Sequence, residues 1–374
     1  MTRATGGAEK DPLAAADPAA ERDPLAATDP AAERDPLAAT DPALGALLPG
    51  GALFRDKKGR PRELPRPLAP LADTHGHLTH FDGLDASVAV ARVALAGVRL
   101  LVCPLDPADD AADARATLDW LDGVVAGAGD LLARARELGV APAAPEGWEG
   151  VADLTSSVRV VAGVHPYGAE RLAEARPALE VLLESDRCVG VGEVGLDYGP
   201  YNEAPREAQL AAFEWQLRLA EERDLPVELH IRDAAGDASA AAHADAARVL
   251  ERVGVPRRGC DLHCFTQGPE VMAPFVELGC HVAFGGVSTF RRSDEVRAAA
   301  AACPSGLILS ETDSPYMAPV PLRGLECEPA MVGFSAACVA EAREAAGAAS
   351  REETYAALWG NACALFGHQP GRAC

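Results

Sequence analysis

Residues 70–77 read Pro-Leu-Ala-Asp-Thr-His-Gly-His, a short apolar run that ends in a polar segment with two histidines. Seven further apolar runs follow, separated by stretches with apolar residues at helical spacing, such as 86–96, 206–223 and 245–253. The eight strand candidates are 70–74, 98–103, 158–164, 188–192, 227–229, 260–262, 281–284 and 307–309. Strand–helix alternation predicts parallel pairing, and eight units favour a closed (β/α)8 TIM barrel of the α/β class. A doubly wound sheet is the structural alternative.

The chain has 374 residues, a formal net charge of −22 and 48% hydrophobic residues, which excludes a wholly disordered protein. No apolar run approaches the roughly 18–20 residues needed to span a bilayer. The first 13 residues contain no apolar segment of the kind found in secretory signals. We therefore expect a cytoplasmic protein that does not enter a membrane, a monomer without a stable protein partner.

Lysine occurs only at positions 10, 57 and 58. From residue 71 onward the chain therefore offers no lysine nucleophile, no Schiff-base lysine and no carboxylated lysine to bridge two metal ions.

The N-terminal part differs in texture from the rest. Residues 11–46 repeat with a period of twelve, and proline recurs every six residues from Pro12 to Pro42. We expect residues 1–66 to be a disordered Asp/Pro/Ala repeat arm followed by a basic, Pro-rich linker, with a repeat-binding arm as the alternative. The barrel hydrolase domain then comprises residues 67–374, with an insertion at about 106–157.

Histidines and carboxylates follow five of the strand candidates. They are His75, His77, Glu193, His230, His263 and Asp313. The carboxyl ends of barrel strands converge on one mouth, where barrel enzymes place their chemistry. Imidazole and carboxylate groups converging there predict two divalent metal sites, and because no lysine is available, Glu193 is the group expected to bridge them.

The same residues lie in segments that resemble the TatD family of metal-dependent hydrolases, whose members are mostly described as deoxyribonucleases. The matching segments are DTHGH at 73–77, GVHP at 163–166, GEVGLDY at 192–198, ELHIRDA at 228–234, LHCFT at 262–266, ETDSPYMAP at 311–319 and NACALFG at 361–367. The resemblance implies a (β/α)8 barrel. It places His75, His77 and Asp313 on one metal and His230 and His263 on the other, with Glu193 shared.

The resemblance also implies that His165 and Arg232 line the substrate pocket. A structural ion pair of Arg232 with Asp233 or another acid is the alternative. Two departures from the family pattern stand out. Gln267 precedes Gly268, and residues 323–329 read RGLECEP where the family has a more basic stretch.

Together these features predict a 3′-5′ exodeoxyribonuclease that trims DNA ends by two-metal activation of water. Asp313 is expected to orient the water and accept its proton, and His165 and Arg232 to contact phosphate oxygens. The metals are expected to be Mg²⁺, Mn²⁺ or Zn²⁺. The strongly negative charge argues against binding along a long duplex. Two alternatives remain: a bimetal esterase or amidase acting on a smaller substrate, such as an aminoacyl-tRNA ester, and a non-catalytic barrel that only binds.

Overall fold

A computed structural model describes residues 41–140 and 157–367. Its centre is one sheet of eight parallel strands, each paired with its neighbours in chain order. The strands are β1 Leu71–Asp73, β2 Val98–Leu105, β3 Val158–Ala162, β4 Cys188–Asp197, β5 Val227–Arg232, β6 Cys260–Leu262, β7 His281–Phe284 and β8 Ile308–Ser310. All eight strand predictions are confirmed, with differences of a few residues at their ends.

The first and last strands meet and close the barrel. The backbone N–H of Thr74 donates to the carbonyl of Ser310 at 3.1 Å, and the Ser310 hydroxyl donates to the carbonyl of Ala72 at 3.0 Å. Further along, Gly76 and Ser314 form a parallel bridge. These contacts confirm the predicted (β/α)8 barrel over the doubly wound sheet, which has two free edges.

Helices alternate with the strands, as the apolar spacing predicts. They are α1 Ala86–Leu95, α2 Ala114–Glu137, α3 Leu172–Leu183, α4 Arg206–Arg223, α5 Ala241–Val253, α6 Pro269–Glu277, α7 Asp294–Ala302, α8 Val332–Ala345 and α9 Arg351–Phe366. Helix α9 packs across the amino-terminal end of the barrel. Its Phe366 and Leu365 share a buried cluster with interior residues such as Leu100, Val161 and Leu309. Among the described residues, α9 thus covers the amino-terminal end of the barrel, and the carboxyl ends of the strands form the mouth.

The expected insertion at 106–157 is largely an ordinary crossover. Residues 114–137 form α2, which connects β2 to β3 and buries Leu121, Leu131 and Leu132. Residues 141–156 lie outside the described part of the chain.

The expectation of an unstructured arm up to residue 66 does not hold for residues 41–66. This stretch contains a short helix, Pro42–Leu47, and a two-stranded hairpin in which Phe54 pairs with Arg62 and Arg55 with Pro61. Leu44, Leu47 and Phe54 are at most 1% exposed, since they pack into the main core. Residues 1–40, with most of the repeats, lie outside the described residues.

A buried ion pair fastens this N-terminal segment. The guanidinium of Arg92 on α1 lies 2.6 Å from both carboxylate oxygens of Glu328 and donates to the carbonyls of Leu47 and Leu53. Arg92 and Glu328 are 5% and 4% exposed. One guanidinium thus joins α1, the N-terminal segment and the chain that follows β8.

We predict that Arg92→Ala lowers the free energy of unfolding by about 3–5 kcal/mol, because it leaves a buried carboxylate without its partner. Urea unfolding followed by circular dichroism would measure this. The matched control is Arg351→Ala, which removes a half-exposed partner of Glu344 and should cost less than about 1 kcal/mol. Equal losses in the two variants would contradict the structural role of Arg92.

Candidate metal centre

The six predicted ligands meet at the carboxyl end of the barrel. His75 and His77 alternate beyond β1 and so point the same way, as residues on an extended segment do. Within β4, the pairing to β5 shifts between Val191 and Val194, so that one extra residue is accommodated around Glu193. His230 lies on β5, His263 follows β6, and Asp313 follows β8 with a positive φ of 56°.

Glycine makes the β4 irregularity possible. Gly195 has φ 146° and lies against the carbonyl of His230, so closely that a Cβ there would overlap the oxygen. At Gly192 a Cβ would stand 2.7 Å from Cβ of Glu228. Only glycine allows β4 to approach β5 this closely beside Glu193.

One half of the cluster contains His75, His77, Asp313 and one oxygen of Glu193. The Nε2 atoms of His75 and His77 are 3.2 Å apart. Oε2 of Glu193 lies 3.8 Å from Nε2 of His75 and 3.9 Å from Nε2 of His77. Oδ1 of Asp313 lies 3.7 and 3.8 Å from the same two nitrogens. Each of these two carboxylate oxygens therefore lies within 4 Å of both imidazole nitrogens.

The other half contains His230, His263, His165 and the second oxygen of Glu193. Oε1 of Glu193 lies 2.5 Å from Nδ1 of His230 and 2.9 Å from Nε2 of His263, and these two nitrogens are 3.2 Å apart. Nε2 of His165 lies 3.7 Å from the same oxygen. His165, expected in the substrate pocket, thus lies at the edge of this second donor group.

The donor set fits divalent cations. Unprotonated ring nitrogens that face one another cannot satisfy each other by hydrogen bonding, whereas a cation about 2.0–2.2 Å from each would accept their lone pairs together. Three groups of side chains have donor atoms within 4.8 Å of one another: His75, His77 and Glu193; His75, His263 and Asp313; His165, Glu193 and His230. Imidazole nitrogen is a good ligand for Zn²⁺ and carboxylate oxygen for Mn²⁺, so this mixed set of donors suits both ions.

Burial and charge act strongly on these groups. Burial would raise the pKa of Glu193, but His263 and His230 hold it well below its usual range. Burial would lower the pKa of His230, but Glu193 and Asp197 raise it to about 10. The carboxyls of Glu228 and Glu311, behind the ligands, have raised pKa values because they are fully buried. A cation at the centre would stabilise the ionised form of all these carboxylates.

A layer of acidic side chains supports the ligands from below. Oε2 of Glu228 lies 3.0 Å from Nδ1 of His75, the ring nitrogen on the side away from the centre. Glu311 accepts the backbone N–H of Cys264 at 2.5 Å and lies 3.8 Å from Nδ1 of His263. Asp73 accepts from the N–H and hydroxyl of Thr312, next to Asp313.

Sequence reasoning missed Glu228 in this role. The signal was present: Glu228 precedes His230 by two residues on β5, and alternate strand residues face the same side. Both residues adjacent to Glu228, Val227 and Leu229, are apolar, so the acid calls for a partner on its own face of the strand, where His230 lies.

Two buried glutamines of α4 hold the loops that follow β3 and β4. Gln216 accepts the N–H of Val164 at 2.7 Å and donates to its carbonyl at 3.0 Å, beside His165. Gln209 accepts the N–H of Asp197 at 2.8 Å. Asp197 in turn lies 3.1 Å from Nε2 of His230. The helix therefore fixes the backbone from which the second donor group projects.

Arg232 lies at the edge of the mouth, and its ion pair is with Asp197. Its Nη2 is 2.7 Å from Oδ2 of Asp197, and it also donates to the hydroxyl of Tyr167. Asp233, considered as its partner, instead pairs with Nδ1 of His243 at 2.6 Å. The side chain of Arg232 remains 37% exposed, so the ion pair orients a guanidinium that a substrate can still reach.

The residues that depart from the family pattern form hydrogen bonds or ion pairs in the structure. Gln267 donates to Asp233 at 3.2 Å. Glu326 accepts the backbone N–H groups of Asp82 and Leu84, at 2.6 and 3.1 Å, and Glu328 pairs with Arg92. The acids in 323–329 thus tie the segment after β8 to the loop before α1.

Comparison with known proteins agrees with this geometry. A model of the family described as TatD related DNase matches residues 72–367. The uncharacterized metal-dependent hydrolase YcfH of Escherichia coli (strain K12) is 37% identical over 170 residues, which cover 46% of this chain and 60% of YcfH. The 3′-5′ ssDNA/RNA exonuclease TatD of Edwardsiella piscicida is 35% identical over 209 residues, covering 55% of this chain and 73% of that protein.

Among solved structures, YJJV, a TatD homologue from Escherichia coli K12, superimposes with a TM-score of 0.57 at 26% identity, covering 81% of this chain and all of YJJV. A barrel with a histidine- and carboxylate-lined mouth defines the class of metal-dependent hydrolases. The family model covers most of the chain, so the protein belongs to the TatD family. The resemblance stated from the motifs is confirmed.

We predict that Glu228→Gln weakens divalent-metal binding about 10- to 100-fold, the usual effect of losing a carboxylate that orients a ligating histidine. Titration of Zn²⁺ or Mn²⁺ by calorimetry would measure it. Glu277→Gln, at an exposed position of α6, is the matched control and should bind like the wild type. Wild-type affinity in Glu228→Gln would show that Glu228 does not act on His75.

Proposed function

We propose that this protein hydrolyses phosphodiester bonds at the 3′ ends of single-stranded DNA or RNA with the help of two divalent cations. The observation that carries the proposal is the division of Glu193 between two donor groups, with Oε2 facing His75 and His77 and Oε1 facing His230 and His263. The name of the Edwardsiella relative, a 3′-5′ ssDNA/RNA exonuclease, supports the choice of substrate. The chain spans about 60% of the length of YcfH.

In the proposed site, His75, His77 and Asp313 hold one cation, His230 and His263 hold the other, and Glu193 lies between them. When bound, such cations lower the pKa of water and neutralise charge on the phosphoryl group that is transferred. Two ions about 3.5–4 Å apart are typical of phosphoryl-transfer sites. The imidazole-rich donor set favours Mn²⁺ or Zn²⁺ over Mg²⁺, which prefers oxygen ligands.

Side chains around the centre supply the remaining functions. Asp313 accepts the proton of the attacking water at a carboxylate oxygen and is held in place by the backbone bond from its N–H to the carbonyl of His75, at 2.8 Å. Arg232, oriented by Asp197, binds a non-bridging phosphate oxygen with the exposed part of its guanidinium. In this proposal His165, which lies 3.7 Å from Oε1 of Glu193 at the edge of the second donor group, contacts the same phosphate.

We predict that the protein, with Mn²⁺ or Mg²⁺, releases mononucleotides from the 3′ end of a 5′-labelled single-stranded 20-mer and that EDTA stops the reaction. Gel electrophoresis would show a descending ladder, while a circular single strand stays intact. Glu193→Gln should lose about a thousandfold or more in kcat, because the neutral amide keeps only one of the two oxygens that face the donor groups and loses the negative charge between the cations. Glu277→Gln should match the wild type.

Three results would contradict this proposal. Cleavage of circular DNA would exclude action at ends. Turnover of an aminoacyl or acyl ester, without any release of nucleotides from the oligonucleotide, would show that the same centre serves carbonyl chemistry. Activity of Glu193→Gln equal to that of the wild type would remove the shared carboxylate from the mechanism.

A further inference from the structure

Three exposed arginines stand out in the loops that follow β7 and β8. They are Arg291, Arg292 and Arg323. None of them forms an ion pair with a carboxylate within residues 41–140 and 157–367. Most other exposed arginines of the barrel are paired, for example Arg252 with Glu214 and Arg257 with Asp224. In a chain of net charge −22, three unneutralised guanidinium groups on one side of the mouth are a local exception.

The two loops that hold these arginines pack together. The hydroxyl of Thr289 accepts the N–H of Val320 at 2.8 Å. The guanidinium carbon of Arg323 lies 4.3 Å from the centre of the Phe290 ring. Phe290 directly precedes Arg291 and Arg292, so this stack brings all three charges to one surface.

The N-terminal hairpin adds to the same surface. Its turn contains Asp56, Lys57 and Lys58, and Arg60 and Arg62 already neutralise Asp56 at 2.7 and 2.5 Å. Lys57 and Lys58 remain exposed. The ammonium of Lys57 lies so close to Gly324 that a Cβ there would overlap it. Lys57 therefore lies next to the turn that contains Arg323, and the exposed Lys58 is its neighbour in sequence.

This surface begins at the candidate metal centre. Tyr316 follows Asp313 by three residues, is 39% exposed, and its ring centre lies 6.2 Å from that of His77. The chain then continues through the exposed Val320 to Arg323. The neighbouring loops after β1 and β2 carry exposed acids, among them Asp82 and Asp109.

We propose that Lys57, Lys58, Arg291, Arg292 and Arg323, which we name the basic rim, bind the backbone phosphates of a single strand whose end occupies the metal centre. The position of that end rests on the proposed function. Cationic side chains that track the backbone, together with an exposed aromatic ring near the site such as Tyr316, are features of surfaces that bind single strands. Because the chain as a whole has a net charge of −22, this group of unneutralised cations is where the phosphates of a strand are attracted rather than repelled.

The test uses three variants of the full chain: Arg291→Ala/Arg292→Ala, Lys57→Ala/Lys58→Ala and Arg323→Ala. The matched control is Arg257→Ala/Arg258→Ala, an adjacent arginine pair that precedes β6 at the opposite end of the barrel. Fluorescence anisotropy in EDTA measures binding of labelled 20-nucleotide DNA and RNA single strands over a range of salt concentrations. Hydrolysis of thymidine 5′-p-nitrophenyl phosphate with Mn²⁺ measures the centre alone.

We expect each rim pair to weaken 20-mer binding at least tenfold. The slope of log K against log salt should become shallower by about 0.7 per lost phosphate contact. The control should stay within twofold of the wild type, and hydrolysis of the small diester should be unchanged in every variant. Equal loss on DNA and RNA indicates backbone recognition.

If the rim variants bind the 20-mer with the affinity and salt dependence of the wild type, the basic rim does not bind the strand, whether or not the small diester is cleaved. Losses of the same size in the control would overturn it too, since they would reflect net charge alone. Because binding is measured without turnover, failure of the diester assay would count against the proposed function and leave the binding result to decide on the basic rim.

Discussion

The two oxygens of Glu193 are the constraint on which the rest of the site depends. Each oxygen faces imidazole nitrogens from a different part of the barrel, with His75 and His77 on one side and His230 and His263 on the other. This arrangement requires β4 to bulge next to β5, and the bulge requires glycine at 192 and 195. The position of Glu193 between the two histidine pairs therefore depends on the close approach of β4 to β5 within the closed barrel.

Polar side chains surround this cluster in two layers, one in contact with the candidate ligands and one farther out. Closest to the ligands are Glu228 and Asp197, which lie against ring nitrogens that point away from the centre. Farther out, Gln209 and Gln216 hold backbone atoms of the loops. Asp261, on the strand beside Glu228, is fully buried and its pKa is raised well above the usual range by burial. So much buried acid is costly for an isolated barrel and is best explained by positive charge supplied to the mouth.

Much of this arrangement could be predicted from sequence because it depends on order along the chain. Each strand is a short apolar run, and each candidate ligand follows one, so convergence at the mouth follows from the parallel barrel. Side-chain partners across the barrel could not be predicted in the same way. Asp197 as the partner of Arg232 depends on the register between β4 and β5, which opposes these two residues directly. The position of Lys57 beside Gly324 depends on chain folding across more than 260 residues.

The N-terminal segment was the clearest difference between expectation and structure. Its composition is rich in proline and small residues, which favours disorder. However, three large side chains, Leu44, Leu47 and Phe54, are enough to pack the segment against the core. Nothing in the local sequence indicates that Arg92 donates hydrogen bonds to carbonyl groups of this segment.

The packing of that segment against the core affects the choice of the first residue for a truncated recombinant protein. No helix in the described ranges is both long and apolar enough to cross a membrane. A recombinant chain begun at residue 67 would keep every candidate metal ligand and yet remove apolar cover from α1 and α8, where the ring of Phe54 packs edge-on against Phe334 with centroids 5.5 Å apart. Starting at residue 41 would retain all the described residues and omit most of the repeats.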